Sequence, residues 1–311
     1  MSPKKYVPVM LTPFQADQTI DYKSLDDLIE LYLAAGAGGL FANCLSSEMF
    51  HLSKEEMLRS VAFVVEKVDG RVPVVATGTF REPIEDQAAF VMKMHATGVD
   101  SVIVITSLMA EEADDDAVFR ANACKLLALT GSTPLGFYEC PVPYKRLIPA
   151  DFLGELAATG RVNYHKDTCL DLQQVNQKLE ATHAFPGFGL YDAYMVHAVD
   201  SLRAGSAGLS CIQGNYFPEL VVWLCDHYAE ESAEVKAVQE FFAKHMDLMH
   251  DTYPASAKYV LQQRGVDVGL TCRNGSVTDQ QKALKQLLEE FEHLSDRIGL
   301  TIVKQKPINL K

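Results

Sequence analysis

The chain has no long apolar run and no basic run, and its 311 residues carry a formal net charge of −13. The first absence excludes a helical membrane span, which needs roughly 20 consecutive apolar residues. The second argues against nucleic acid and anionic membrane surfaces as partners, because both are recognised through clustered Lys and Arg. Seven cysteines are scattered without CxxC or Cys/His spacing, so neither a metal site nor an even disulfide framework is written in them. Reduced thiols in the cytoplasm are the expectation. The opening Met1-Ser2-Pro3-Lys4-Lys5 agrees, since it leads into a strand-like run without a signal-peptide core. Linkers rich in Gly, Pro or Ser, low-complexity tracts and short repeats are also missing.

What is present is a chain with 48% hydrophobic and 22% charged residues, enough to bury a large core. Short β-branched runs alternate with amphipathic helical stretches. Strands are predicted at 7–11, 39–42, 72–76, 101–106, 134–138, 161–166, 184–190 and 207–212. Most are continuously apolar, as parallel strands buried on both faces must be. Helices are predicted between them at 24–35, 54–68, 82–97, 114–129, 149–159, 170–181, 192–203 and 218–230. Asp21, Ser24 and Ser53 with Glu56 supply N-cap signals, and Gly36, Gly98 and Gly160 follow helices as C-terminal stops.

Eight strand–helix units in about 230 residues match a closed (β/α)8 barrel, for which roughly 250 is usual. The expected organisation is an α/β TIM barrel over 1–230 with a C-terminal helical extension, 231–311, packed on it. Helices at 233–250, 255–263 and 279–298 make up that extension.

In such barrels chemistry sits where strands end. Strand 6 ends in His165-Lys166-Asp167-Thr168, and strand 5 ends in Phe137-Tyr138-Glu139-Cys140. A lysine at the end of a buried strand is costly for the fold alone, because an ammonium without a partner resists burial. Burial lowers its pKa and frees the amine to attack a carbonyl carbon. The structural alternative is a barrel-mouth lysine paired with Glu139 or Asp167. Strand alternation turns His165 the other way, toward the helices. The stretch 205–208 resembles a phosphate cradle but precedes its strand and so lies at the wrong end. Cys44, Cys140 and Cys211 all fall near the mouth, where an adjacent lysine could lower a thiol pKa.

The order of motifs carries a resemblance over essentially the whole chain. These are Leu11-Thr12-Pro13-Phe14 with Asp21, Ala35-Gly36-Ala37-Gly38-Gly39-Leu40, and Ser46-Ser47-Glu48 with Leu52-Ser53-Lys54-Glu55-Glu56. Arg71-Val72-Pro73-Val74-Val75-Ala76, Tyr138 with Pro141, Lys166-Asp167-Thr168, and Gly208 with Asn215-Tyr216-Phe217-Pro218-Glu219 follow. Together they resemble the dihydrodipicolinate synthase and N-acetylneuraminate lyase family of pyruvate-handling class I aldolases. The resemblance implies Lys166 as Schiff-base former, Tyr138 as proton shuttle, and Ser46 and Ser47 as carboxylate binders. Gly208 and Cys211 are further substrate-binding candidates.

It implies a lyase that needs neither cofactor nor metal and cleaves a 2-oxo acid by a reversible aldol reaction. The substrates are then pyruvate, or a similar 2-oxo acid, and an unidentified aldehyde. A dehydratase of 2-oxo-3-deoxy sugar acids and a non-catalytic 2-oxo-acid binder are the alternatives. Relatives are commonly tetramers built from dimers, so a homo-oligomer is expected.

Three departures accompany the matches. The family's Gly-Thr-Thr-Gly-Glu loop is Cys44-Leu45-Ser46-Ser47-Glu48 here, so with Glu48 fixing the register Leu45 replaces the Thr that relays protons in relatives. Pro143 stands where the synthases carry an Arg, and Ser107-Leu108-Met109 replaces an aromatic pair. These losses argue against true dihydrodipicolinate synthase activity and for a rebuilt second-substrate pocket.

Overall fold

A computed structural model describes residues 3–303. The strands are β1 (Lys5–Tyr6), β2 (Leu40–Asn43), β3 (Val74–Thr77), β4 (Ser101–Ile105), β5 (Leu135–Tyr138), β6 (Val162–Asp167), β7 (Gly189–Asp192) and β8 (Gly208–Leu209). All pair in parallel in the order β1-β8-β7-β6-β5-β4-β3-β2. The ring is completed between the first and second strands by a bridge from Val9 to Phe41. There Met10 N–H donates to Phe41 O at 3.0 Å and Phe41 N–H donates to Pro8 O at 2.9 Å. The fold is a (β/α)8 barrel.

Helices α1 (Tyr22–Ala34), α2 (Lys54–Val68), α3 (Ile84–His95), α4 (Asp116–Leu129), α5 (Ala150–Ala158), α6 (Leu172–Thr182), α7 (Ala198–Ala204) and α8 (Pro218–His227) follow their strands. Asp21 caps α1 by accepting from Lys23 N–H and Ser24 N–H, and Ser53 with Glu56 forms the predicted capping box of α2. Gly98 holds φ +96° after α3, a backbone state that side chains with a Cβ resist. Two apolar clusters result. One fills the shell between strands and helices, and a smaller one, including Val9, Phe41, Ile103, Ile105 and Tyr138, fills the barrel interior.

Four predicted barrel elements moved most. The first strand spans only Lys5–Tyr6, where it pairs with β8 and Val7 N–H adds a last bond to Leu209 O at 2.9 Å. The seventh strand begins at Gly189, because residues 182–188 close hydrogen-bonded turns, Phe185 N–H to Thr182 O and Phe188 N–H to Phe185 O. That delay carries Tyr191 and Asp192 onto the strand. The eighth shrinks to Gly208–Leu209, and the helix expected from 192 begins at Ala198 after a short turn.

Beyond the barrel come α9 (Ala233–Lys244), α10 (Met246–His250), α11 (Ala255–Gln263) and α12 (Gln281–Ile298), so the helix expected over 233–250 is broken at His245. Phe291 of α12 stacks on Phe217 with centroids 4.1 Å apart. Lys258 of α11 is fully buried, with Nζ 3.0 Å from Glu48 Oε1. Asn274 N–H donates to the other Glu48 oxygen at 2.9 Å. The C-terminal segment thereby clamps the loop that follows β2. No helix among the described residues is long and apolar enough to cross a membrane.

Candidate active site

Lys166 lies at the end of β6, in register with Tyr138 on β5 and Tyr191 on β7. Paired residues in a parallel sheet share a face, so the lysine stands between two phenols. It is 4% exposed. Its Nζ sits 4.4 Å from the centroid of the Tyr138 ring. Among the described residues its amine makes no hydrogen bond and no ion pair. Burial lowers its pKa, with a partial offset from the thiols of Cys44, Cys140 and Cys211. A ring quadrupole and nearby sulfur atoms are weak compensation for an ammonium, so burial makes the proton easier to remove than from a lysine in water.

The carboxylates that could have paired with Lys166 are occupied elsewhere. Alternation turns Glu139 and Asp167 outward, toward α6, where Lys178 Nζ lies 2.5 Å from Glu139 Oε1 and 2.6 Å from Asp167 Oδ2. His165 lies fully buried beside them, packed between barrel and helix. Glu139, His165 and Asp167 would otherwise make a plausible cation cage, but the Lys178 ammonium holds that position. Burial opposes the charge on Lys178, yet the two carboxylates raise its pKa well above the ordinary value. Burial likewise opposes the charge on Asp167, but His165 and Lys178 depress its pKa strongly.

The loop after β2 divides its two serines. Ser47 Oγ lies 2.7 Å from Met10 O and 3.1 Å from Ala42 O, and accepts from Cys44 N–H at 3.2 Å. Its hydroxyl proton is committed to the backbone, so this side chain holds the loop. Ser46 is buried and faces Tyr253, from the segment before α11. Leu45 packs against the inner apolar cluster and has no proton to pass on.

Gly208 lies where the β1 backbone comes closest to β8. A Cβ there would lie 1.7 Å from Lys5 O, so glycine is required by the approach of the β1 backbone to β8. Cys211 is fully buried near the amine. Burial pushes its thiol up to about 12 and that of Cys140 up to about 11. The expected lowering by a neighbouring lysine is outweighed by desolvation, which leaves both protonated at neutral pH.

At the mouth, a cavity of about 330 Å³ is walled by Met49, Phe50, Phe80, Leu108, Val142 and Pro143. Phe50, Phe80 and Leu108 also pack against the inner cluster that holds Tyr138 and Cys140. The two departures noted at Leu108 and Pro143 therefore meet in one apolar wall.

Sequence reasoning missed Lys178, Tyr191 and Tyr253. The signal for Lys178 was available, since it falls on the buried stripe of α6 with Val175 and Thr182. Tyr191 was lost with the misplaced seventh strand. Nothing local marked Tyr253, which lies in a helical tail.

A parallel eight-stranded barrel with an unpaired buried amine at a strand end belongs to the class of barrel enzymes that work at that face. The comparisons narrow the class: the profile of the dihydrodipicolinate synthetase family matches residues 2–293, and the chain belongs to that family. A 4-hydroxy-tetrahydrodipicolinate synthase of Oceanobacillus iheyensis is 25% identical over 300 residues, covering 93% of this chain and 97% of its own. An uncharacterized DapA-like lyase of Halobacterium salinarum is 26% identical over 265 residues, 85% of each chain.

Among solved structures, the prophage protein YagE of E. coli K12 in complex with pyruvate superposes with a TM-score of 0.83 at 20% identity. It covers 94% of this chain and 98% of YagE. CdNal of Clostridium difficile in complex with mannosamine gives a TM-score of 0.80 at 16% identity, over 94% and 100% of the two chains. At such identity these two likenesses establish the fold. Family membership and the curated relatives support a lyase-type enzyme.

Proposed function

We propose that this protein is a class I aldolase that forms an imine between Lys166 and pyruvate or a similar 2-oxo acid. The observation that carries the reading is a buried amine with lowered pKa, free of any carboxylate, beside a phenol on the neighbouring strand. The neutral amine attacks the keto carbon, forming the C–N bond as the carbonyl electrons move to oxygen. Tyr138 passes protons to that oxygen and from the nitrogen, and water leaves to give the iminium. In the cleavage direction the C–C bond breaks toward the iminium, yielding an enamine and an aldehyde. Protonation and hydrolysis release the 2-oxo acid and restore the amine. Burial pushes the Tyr138 pKa well above its ordinary value, so the phenol starts the cycle with its proton in place.

Apolar walls at the mouth support an aldehyde with an apolar substituent over an anionic one. The two cations that line this cavity, Arg81 and Lys54, are already paired, with Glu111 at 3.1 Å and Glu82 at 2.5 Å. Borohydride treatment with pyruvate tests the reading. A pyruvyl adduct mapped to the peptide containing Lys166 is expected. Pyruvate binding without any adduct would replace the aldolase by a 2-oxo-acid binder. Pyruvate consumption across a panel of aldehydes would then rank apolar against charged acceptors.

A further inference from the structure

The two groups assigned to the imine each stand one residue before a carboxylate. Tyr138 precedes Glu139 at the end of β5, and Lys166 precedes Asp167 at the end of β6. Alternation puts the amine and the phenol inside the barrel and both carboxylates outside it. There a single ammonium meets the pair, with Lys178 Nζ 2.5 Å from Glu139 Oε1 and 2.6 Å from Asp167 Oδ2. His165, 3.6 and 3.7 Å from the same two oxygens, is too far to hydrogen-bond them.

The carboxylates in turn grip the backbone around the strand ends. Glu139 Oε1 also accepts from Ile148 N–H at 3.0 Å, and its Oε2 accepts from Thr168 N–H at 3.1 Å. Asp167 Oδ1 accepts from Cys169 N–H at 2.8 Å. The ladder itself is weak here, since the bond from Glu139 N–H to Lys166 O is long at 3.3 Å. On the inner side the amine makes no hydrogen bond among the described residues and rests 4.4 Å from the centroid of the Tyr138 ring. Its place is set by the backbone that carries it. In a pleated strand, anchoring one side chain fixes the direction of its neighbour. Oxygens of Glu139 and Asp167 lie within 4.8 Å of one another. Without the cation, their like charges would push the strand ends apart.

We propose that Lys178 is a positioning residue for the imine chemistry, tying the ends of β5 and β6 from outside so that the Tyr138 phenol stays seated against the Lys166 amine. This rests on the aldolase reading and extends it to α6, on the outer face of the sheet. A misplacement of about 1 Å between reacting groups costs up to about 10²-fold in rate.

The test times pyruvate adduct formation on the full chain in excess cyanoborohydride, so that imine formation limits the rate. Lys178→Met should slow it about tenfold or more at saturating pyruvate and leave the half-saturating concentration within about twofold. Lys178→Arg, which restores a cation, should regain most of the loss. In a Tyr138→Phe chain, Lys178→Met should slow the reaction less than about twofold further, because it acts through the phenol. Phe242→Ala truncates a buried side chain of α9 and lowers stability without touching the tether, so it should leave the rate of folded protein unchanged. An unchanged rate in Lys178→Met, equal slowing by Phe242→Ala, or full multiplication with Tyr138→Phe would overturn the proposal. If Lys178→Met does not fold, Asp167→Asn keeps the shape, releases the β6 half of the tether and carries the same rate expectation. If the unaltered chain traps no pyruvate, the imine reading fails by itself, and a crystal structure of Lys178→Met decides the tether. Movement of Lys166 Nζ by about 1 Å or more from its seat over the Tyr138 ring sustains it. A retained separation of 4.4 Å overturns it.

Discussion

Lys166 and Lys178 belong to the same strand–helix unit, and both are buried, yet their surroundings differ completely. Lys166 points into the barrel, against a phenol ring and three thiols, with no anion near it. Lys178 points inward from α6 and meets Glu139 and Asp167 at 2.5 and 2.6 Å. One interior strips a cation of its water and offers little in return, so its proton is loosely held. The other surrounds the cation with two carboxylates, and its proton is tightly held. A residue type and a burial class therefore say nothing about role until the counter-charge is located. The carboxylates flanking Lys166 in sequence serve the other lysine, because adjacent strand residues face opposite sides of the sheet.

The largest contrast comes from removing each amine. Lys166→Met should abolish borohydride-trappable adduct and all imine-dependent turnover while leaving a folded barrel by circular dichroism. Retained turnover would remove Lys166 from the chemistry. Removing the phenol sharpens the same side of the comparison. Tyr138→Phe keeps the ring and its contact with the amine but loses the proton carrier, and should lower kcat by about 10²–10⁴-fold. Steady-state rates with pyruvate and an accepted aldehyde measure this, and a change below twofold would reduce Tyr138 to packing.

On the other side, Lys178→Met leaves two buried carboxylates without their cation. The expected loss is about 3–5 kcal/mol of stability in chemical denaturation. Adduct formation should persist in the molecules that remain folded. A neutral outcome would mean that His165 alone compensates the pair.

The smallest effect is in stability against pH. Lys166 has a lowered pKa, so the fold resists its protonated form. Lys166→Met should then gain roughly 0.5–2 kcal/mol at neutral pH. The gain should shrink as pH rises toward the unfolded-lysine value of about 10.4. The Lys178 network has the opposite signs. Asp167 is depressed, so its contribution is present above the unfolded value of about 3.9 and lost as pH falls below it. Lys178 is raised, so its contribution is present below about 10.4 and lost as pH rises further. Denaturation midpoints of both variants across pH would separate the two behaviours.

Much of the fold was legible because its signals are local. Apolar runs of strand length, the Ser53–Glu56 capping box and the glycines after helices each depend on a few neighbouring residues. Misplacement occurred where a turn cut a run that looked continuous, before Gly189. For the site, strand ends were enough to nominate Lys166 and Tyr138, and alternation was enough to turn His165 away. Ser47 and Gly208 were harder, because a committed hydroxyl and a close backbone approach involve partners remote in the chain.

By itself the sequence determined the alternation of strands and helices and the seating of an amine and a phenol at the ends of adjacent strands. These follow from periodicity and from the geometry of the pleat. Tertiary structure alone decided which lysine has a counter-charge, which serine is bonded to the backbone, and that Lys258 from the helical tail clamps the loop after β2. Those outcomes depend on pairings between segments far apart in the chain, where the energy of a charge or a hydrogen bond is set by what surrounds it.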